Sequence, residues 1–474
     1  MIFKNASYLF ISNVVIRLIT AIATIFLARY MGAEEYGVFG VALAFTSIAL
    51  YFTDIGLTQT YIREATKENA DVELLTSSLL KIRLLFSIIA GLLIFLIVSF
   101  FYDYNPALQW TILLIAVPGA LGAALQGVGI AYYQLIQKMQ FIAIINTLTS
   151  LLIVIVITLS ITFQFSLFTL SFLYGVVNIF TGIFAVWLVF YKNIKFVKRM
   201  NWDILIGISS FLVGGMIVLL IPQLGPILLE KVSTTLEVGY YAASYKIPAV
   251  LYQIPGVVAV AFYPLLFQLG NRGDFEEHYK KNVLELKIMN LLGIVMAIPF
   301  LFNADFFINL LFGSEWSTAS DVLAILIITI IFQSINYPLA DSLTTLGLQN
   351  KRTKILIVAL FVGIFCFLFF GSKYGSVGAA ISAVIVELTM LIGFTFFNKK
   401  GFKKLVNGCM LNFIGFLLVI TLYYVVIPDM NPLLSIMFFP ILFLAIIFVL
   451  DRELRELGLD KIKGKVHFKG GKKS

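Results

Sequence analysis

The sequence predicts an all-α polytopic membrane protein of about fourteen transmembrane helices. They form two parallel-repeat six-helix lobes plus two extra C-terminal helices. Three observations predict it. Of 474 residues 60% are hydrophobic and only 12% charged, which excludes an ordinary soluble domain. Apolar runs of about 20 residues, the length that crosses a bilayer core, recur along the whole chain. Finally, 29 of the 34 Lys and Arg residues fall into alternate gaps between those runs.

The first six segments are 7–30, 37–62, 82–102, 108–133, 141–163 and 167–190. The next six are 204–229, 238–268, 286–312, 319–346, 354–371 and 376–397, followed by 405–427 and 432–450. Basic clusters at 63–83, 192–199, 272–287, 351–354 and 399–404, and the tail from Arg452, mark the cytoplasmic gaps by the positive-inside rule. An even number of segments then puts both termini in the cytoplasm, in a multi-pass cell-membrane protein. The other gaps hold Arg29, Lys231 and Lys373. The chain start resembles a signal peptide, with Lys4 and Ala21-Ile22-Ala23, but the run continues and carries Arg17, so an uncleaved first helix is expected.

The net charge of +9 follows from this topology and does not point to nucleic acid. Cys366 and Cys409 lie inside apolar runs, and His278 and His467 have no partners at metal-ligand spacing. No metal, cofactor or disulfide is therefore expected. The short outward loops and the lack of an Asp-x-Asp motif argue against a membrane-embedded glycan polymerase or transferase, so the chain is read as a non-enzyme.

Residues 26–42 align with 228–244 at an offset of 202. Leu27 then matches Leu229, Glu35 matches Glu237, Gly37 matches Gly239, and Arg29 faces Lys231. An offset of six helices preserves orientation, as in parallel repeats. The expected organisation is an N-lobe at 1–191, a cytoplasmic linker at 192–203 and a C-lobe at 204–398. Two helices at 399–450 and a basic cytoplasmic tail at 451–474 follow. Seven of the twelve prolines, Pro222, Pro226, Pro248, Pro255, Pro264, Pro299 and Pro338, lie in helices 7–10. They either are the ordinary prolines of membrane helices or let the C-lobe bend.

Two cations lie inside apolar segments, where each costs roughly 2.5–3.5 kcal/mol on insertion scales. Arg17 and Lys246 are each about nine residues into their helices, roughly 14 Å deep. Asn13, Arg17, Thr20, Ala21, Thr24 and Ala28 form one polar, small-residue stripe, and Gly239, Ala242, Ala243, Lys246, Ala249 and Gln253 form another. Such stripes fit a water-filled cavity; pairing with a buried acid and snorkelling are the alternatives. Asp54, Asp341 and Glu387 are acids within helices, suited to a coupling H+ or Na+ or to a structural role, for Asp54 capping or pairing with Arg63.

Residues 24–64 resemble the opening of the polysaccharide-biosynthesis exporters, the Wzx-type oligosaccharide flippases of the MOP superfamily. The resemblance is carried by Leu27-Ala28-Arg29, Gly32, Tyr36-Gly37, Phe39, Asp54, Gly56-Leu57 and Arg63, and by the stretches 343–354 and 374–387. It implies a V-shaped pair of lobes around a cavity. It further implies a flippase moving polyprenyl-diphosphate-linked oligosaccharide to the outer leaflet by alternating access. The related lipid II flippases have a helix-1 arginine and a helix-8 cation in that cavity. Arg17 and Lys246 match them, with Arg29 a third candidate for the diphosphate. The expected partners are the lipid-linked oligosaccharide, membrane lipids and a coupling ion, with the protein a monomer. A multidrug exporter of the same superfamily is the nearest alternative.

Overall fold

The computed structural model describes residues 2–191, 194–206, 208–427 and 430–456, with side chains from Ile19 onward except at 209–213 and 257. Every regular element among them is helical. The chain divides into two compact units. One comprises Met1–Val250, Ile308–Val322 and Leu356–Val386; the other comprises Leu251–Phe307, Leu323–Ile355 and Glu387–Ser474.

Helix α1 runs Ile2–Asp54, 53 residues, or about 80 Å at 1.5 Å per residue, too long for one crossing. Gly32 breaks it with φ 73° and ψ 171°, a region essentially reserved for glycine. Its two arms correspond to the first two predicted segments. Short α2 (Leu57–Ala65) leads to α3 (Val72–Phe101), which begins where the Asp71 carboxylate accepts the Leu74 N–H. Asn105 and Pro106 start α4 (Pro106–Leu135) in the same way, before α5 (Met139–Thr162) and Ser166-capped α6 (Leu167–Phe190). Helices α7 (Ser209–Val232) and α8 (Thr235–Leu251) complete the helices before Val250.

Next come α9 (Gln253–Asn271), α10 (Phe275–Phe302), α11 (Ala304–Leu311), α12 (Ala319–Leu326) and α13 (Ile328–Thr345). Helix α14 (Gln349–Phe397) is broken at Gly375, where φ is 56° and ψ −133°. Helices α15 (Gly401–Thr421) and α16 (Pro432–Leu450) end the series. Among the described residues, eleven helices are long and apolar enough to cross a membrane, or twelve if α8 and α9 make one broken span. Two of the eleven, with 47 and 49 residues, each hold two predicted segments, so the number agrees with about fourteen. The prolines sit where expected, with Pro222 and Pro226 inside α7, Pro248 in α8, Pro264 in α9, Pro299 in α10 and Pro338 in α13.

The inner ends of three basic clusters are not loop residues: Arg83, Lys287 and Lys404 are 2%, 7% and 2% exposed and lie inside α3, α10 and α15. Each of these helices starts in polar sequence because neighbouring helices or the tail satisfy its charge. Lys287 pairs with Asp451 at 2.9 Å and Glu453 at 2.6 Å, which docks the start of the C-terminal tail. The tail beyond 456 lies outside the described residues.

Candidate functional site

The second arm of α1 and helix α8 meet at glycines. A methyl group on Gly37 would run into the backbone of Thr235 and Gly239, and one on Gly239 into the backbone of Ala33. These contacts are reciprocal under the 202-residue offset, which carries 33 to 235 and 37 to 239. One turn on, Gly40 faces Ala242, its own equivalent. Each helix thus offers the same patch to the other, as at an isologous two-fold interface. Tyr36 supports the crossing from one side, edge-on to buried Trp316 with ring centroids 6.0 Å apart.

Just beyond the crossing lies a cavity of about 470 Å³. Gly40, Leu43, Ala44 and Ser47 of α1 line it, and so do their offset equivalents Ala242, Tyr245, Lys246 and Ala249 of α8. Spacings of three and four place each set on one helix face. Gln126 of α4, Thr149 of α5, Tyr174 and Asn178 of α6 and Gln223 of α7 close the remaining walls. The Ser47 and Thr149 hydroxyls each donate to a carbonyl of their own helix at 2.9 Å, leaving oxygen lone pairs for other donors. The Gln126 amide donates to Thr181 at 2.8 Å.

Among the described residues Lys246 is the one charged residue of the lining, and it is partly accessible. Among the described residues it has neither an ion-pair nor a hydrogen-bond partner. A lone ammonium among tyrosines, amides and hydroxyls leaves the cavity net positive and suited to an anionic group.

The other sequence candidates are placed differently. The side chains of Asn13 and Arg17 lie outside the described residues. Thr24 is buried and donates to the Ala21 carbonyl at 2.8 Å, while Thr20 is half-buried; neither lines the cavity. Arg29 is exposed, three residues before the Gly32 break. Gln253 begins α9 in the second unit.

Of the two structural roles expected of Asp54, it caps α2 by accepting the Thr58 N–H, while its ion-pair partner is Arg83 and not Arg63. Arg63 instead donates to the Ile206 carbonyl at 2.5 Å and to Glu64 at 3.1 Å. The reason is the early start of α3, which carries Arg83 inward. Gly127 of α4 makes room there, since a methyl group would overlap the guanidinium. Thr58 completes the cluster, donating its N–H to Asp54 at 3.1 Å and accepting from Arg83 at 2.7 Å.

In the second unit, Glu387 is 6% exposed and accepts from the amides of Gln333 and Asn336, each at 2.8 Å. Asp341 is 4% exposed on α13, with Arg352 as its nearby cation. Sequence reading missed a buried network beside it. The Lys404 ammonium donates to Asn282 at 2.7 Å, Ser342 at 2.6 Å and Asn398 at 3.2 Å, and Asn282 donates to Glu285 at 3.1 Å. The signal was present in the alternation of Asn282 and Glu285 with apolar residues at helical spacing, hidden by reading 272–287 as a loop.

Residues 2–270 match the family model described as polysaccharide biosynthesis protein. The capsular polysaccharide biosynthesis protein CapF of Staphylococcus aureus is 31% identical over 130 residues, 27% of this chain. The probable low-salt glycan biosynthesis flippase Agl15 of Haloferax volcanii is 23% identical over 158 residues, 32% of this chain. Each alignment spans 32% of the relative's own length. The fold is similar to that of the lipid II flippase MurJ in an inward closed conformation, with a TM-score of 0.72 and 14% identity over 96% of this chain and 100% of the other. It is also similar to an inward-facing multidrug resistance MATE family transporter of the MOP superfamily. There the TM-score is 0.67 with 15% identity, over 81% of this chain and 97% of the other.

Proposed function

Because the chain belongs to the polysaccharide biosynthesis protein family, we propose that it is a flippase for polyprenyl-diphosphate-linked oligosaccharide. It moves this lipid from the cytoplasmic to the outer leaflet by alternating access, for cell-surface polysaccharide synthesis. The observation that carries the reading is Lys246, without a charged or hydrogen-bonded partner among the described residues, in a cavity between repeat-equivalent helix faces. A diphosphate brings about two negative charges into the membrane, and a cation already held there offsets part of that cost. Arg17, at similar depth, is the proposed second ligand, and Arg29 a third on the approach. The tyrosines and amides of the lining then face the sugar.

The multi-pass helices take the topology with both termini cytoplasmic and lobes at 1–191 and 204–398. The headgroup enters from the cytoplasm while the prenyl tail stays in lipid. An inside-negative potential favours outward passage of the anion by roughly 2.3 kcal/mol per charge per 100 mV. Asp341 or Glu387 takes a coupling H+ or Na+ for the return. The protein works as a monomer. The MATE-like fold admits a multidrug exporter as the second reading. A cavity lined, among the described residues, by a cation and no acid disfavours cationic drugs.

The test is flipping of a fluorescent polyprenyl-diphosphate oligosaccharide in proteoliposomes. Wild type transports it, faster under an inside-negative potential, and Arg17→Ala with Lys246→Ala loses at least a factor of ten. Undiminished transport by that double variant would remove the cations from the mechanism. Drug efflux without glycan flipping would replace the reading by the second.

A further inference from the structure

The corner between α14 and α15 departs from the usual charge preference of helix termini. The first turn of α15 begins at Gly401, with Lys400 as N-cap and Lys403 and Lys404 inside it. Positive side chains oppose the partial positive charge at a helix start, where anions are favoured. No side chain caps this start, and Lys400 is held at φ 56°, a left-handed conformation uncommon for a non-glycine residue. Lys404 is turned inward to Asn282, Ser342 and Asn398. Lys400 and Lys403 stay exposed; Lys400 lies 5.7 Å from the Tyr279 ring centroid, and neither has an ion-pair partner among the described residues.

The same corner opens into a groove of about 770 Å³, walled by Leu391, Ile392, Phe396, Phe402 and Leu405, with Lys400 and Lys403 also in its lining. Ile392, Phe396 and Phe402 are 70%, 81% and 76% exposed. Apolar walls beside two ammonium groups without ion-pair partners and an uncapped helix start complement one molecule with an acyl chain and an anionic head.

We propose that this corner binds an anionic phospholipid, its phosphate at the α15 start between Lys400 and Lys403 and one acyl chain in the groove. The site is separate from the cavity and does not depend on what the cavity carries.

Native mass spectrometry of the detergent-solubilised full chain tests it. The protein is titrated with phosphatidylglycerol or phosphatidylcholine of identical acyl chains. Wild type binds phosphatidylglycerol at a saturable site that phosphatidylcholine fails to fill. Lys400→Gly with Lys403→Gln weakens that binding roughly thirty-fold, from two basic contacts. Glycine suits the positive φ, so this variant keeps the fold. Ile392→Trp fills the groove from an exposed position and lowers occupancy with both lysines present. Equal binding of the two lipids, or unchanged binding by the lysine variant, overturns the proposal and leaves the lysines as topological charges. Preferential displacement of phosphatidylglycerol by a polyprenyl phosphate overturns it in favour of a carrier-lipid site.

Discussion

Lys246 and Ala44 line one cavity from equivalent positions of two helices, 202 residues apart in sequence. The repeat therefore builds a nearly two-fold cavity wall and then breaks its symmetry with a single charge. The asymmetry yields a sharp prediction. Lys246→Ala lowers glycan flipping at least tenfold, while Lys246→Arg keeps it, since arginine supplies a bidentate phosphate contact. Adding Ala44→Lys to Lys246→Ala brings an ammonium into the same cavity from the opposite wall and restores a measurable part of the rate. Initial rates in proteoliposomes decide it; failure of the relocated charge to restore anything would tie the role to the α8 geometry alone.

The Gly37–Gly239 crossing leaves no space for side chains. Gly37→Val and Gly239→Val each force the second arm of α1 away from α8. Overpacking of this kind costs about 1–3 kcal/mol. Both variants are expected to melt several degrees below wild type in detergent, with similar losses because the contact is reciprocal. Gly256→Val is a control, since nothing lies within 4 Å of a methyl group there.

The Asp54–Arg83 pair separates structure from ion coupling. Arg83 is 2% exposed, so Asp54→Asn strands a buried guanidinium at a cost of about 3–5 kcal/mol. The expected outcome is a sharp fall in folded yield, with the surviving protein transporting at the wild-type rate per molecule. Asp54→Asn with Arg83→Gln, which removes both charges, recovers yield. A normally folded Asp54→Asn protein that has lost ion dependence would make Asp54 a coupling site instead.

The class of fold was legible because segment hydrophobicity and the alternation of charge are independent signals that agree. Lys246 was legible too, since its depth could be counted along one helix. Its neighbours Gln126, Asn178 and Gln223 were not. They come from other helices, and nothing along the chain says that three separate amides line one cavity with this lysine. Arg83 and Lys404 show the opposite error. Their helices begin in polar stretches, so an apolar-run criterion starts them late, leaving Lys404 outside its segment and Arg83 at the very edge of its own, where it counts with a basic cluster. The pairing of Asp54 then goes to the wrong arginine.

The two helix breaks differ in how much they resist substitution. Gly32 and Gly375 both have positive φ, and alanine is strained at either by about 1–3 kcal/mol. A methyl group at Gly32 meets nothing within 4 Å, whereas at Gly375 it would strike the Glu237 carboxylate. That carboxylate accepts from the Ser376 N–H at 2.7 Å and its hydroxyl at 2.5 Å, capping the second arm of α14. Gly375→Ala is therefore predicted to lower the melting temperature more than Gly32→Ala.

Glu387 poses the last question, because its carboxyl is held only by two amides with no cation within salt-bridge reach among the described residues. A purely structural acid in that setting gains little from its charge, and a glutamine of the same shape would keep most of the packing at a cost of about 1–3 kcal/mol for the mismatched amide. An acid retained for an exchangeable cation behaves differently. The expectation is that Glu387→Gln folds and still binds the lipid-linked glycan. Its flipping rate no longer responds to an imposed H+ or Na+ gradient that accelerates wild type. Measuring the rate with each gradient in turn also identifies the ion. A Glu387→Gln protein that keeps the full gradient response would shift the coupling role to Asp341, the other buried acid proposed for it.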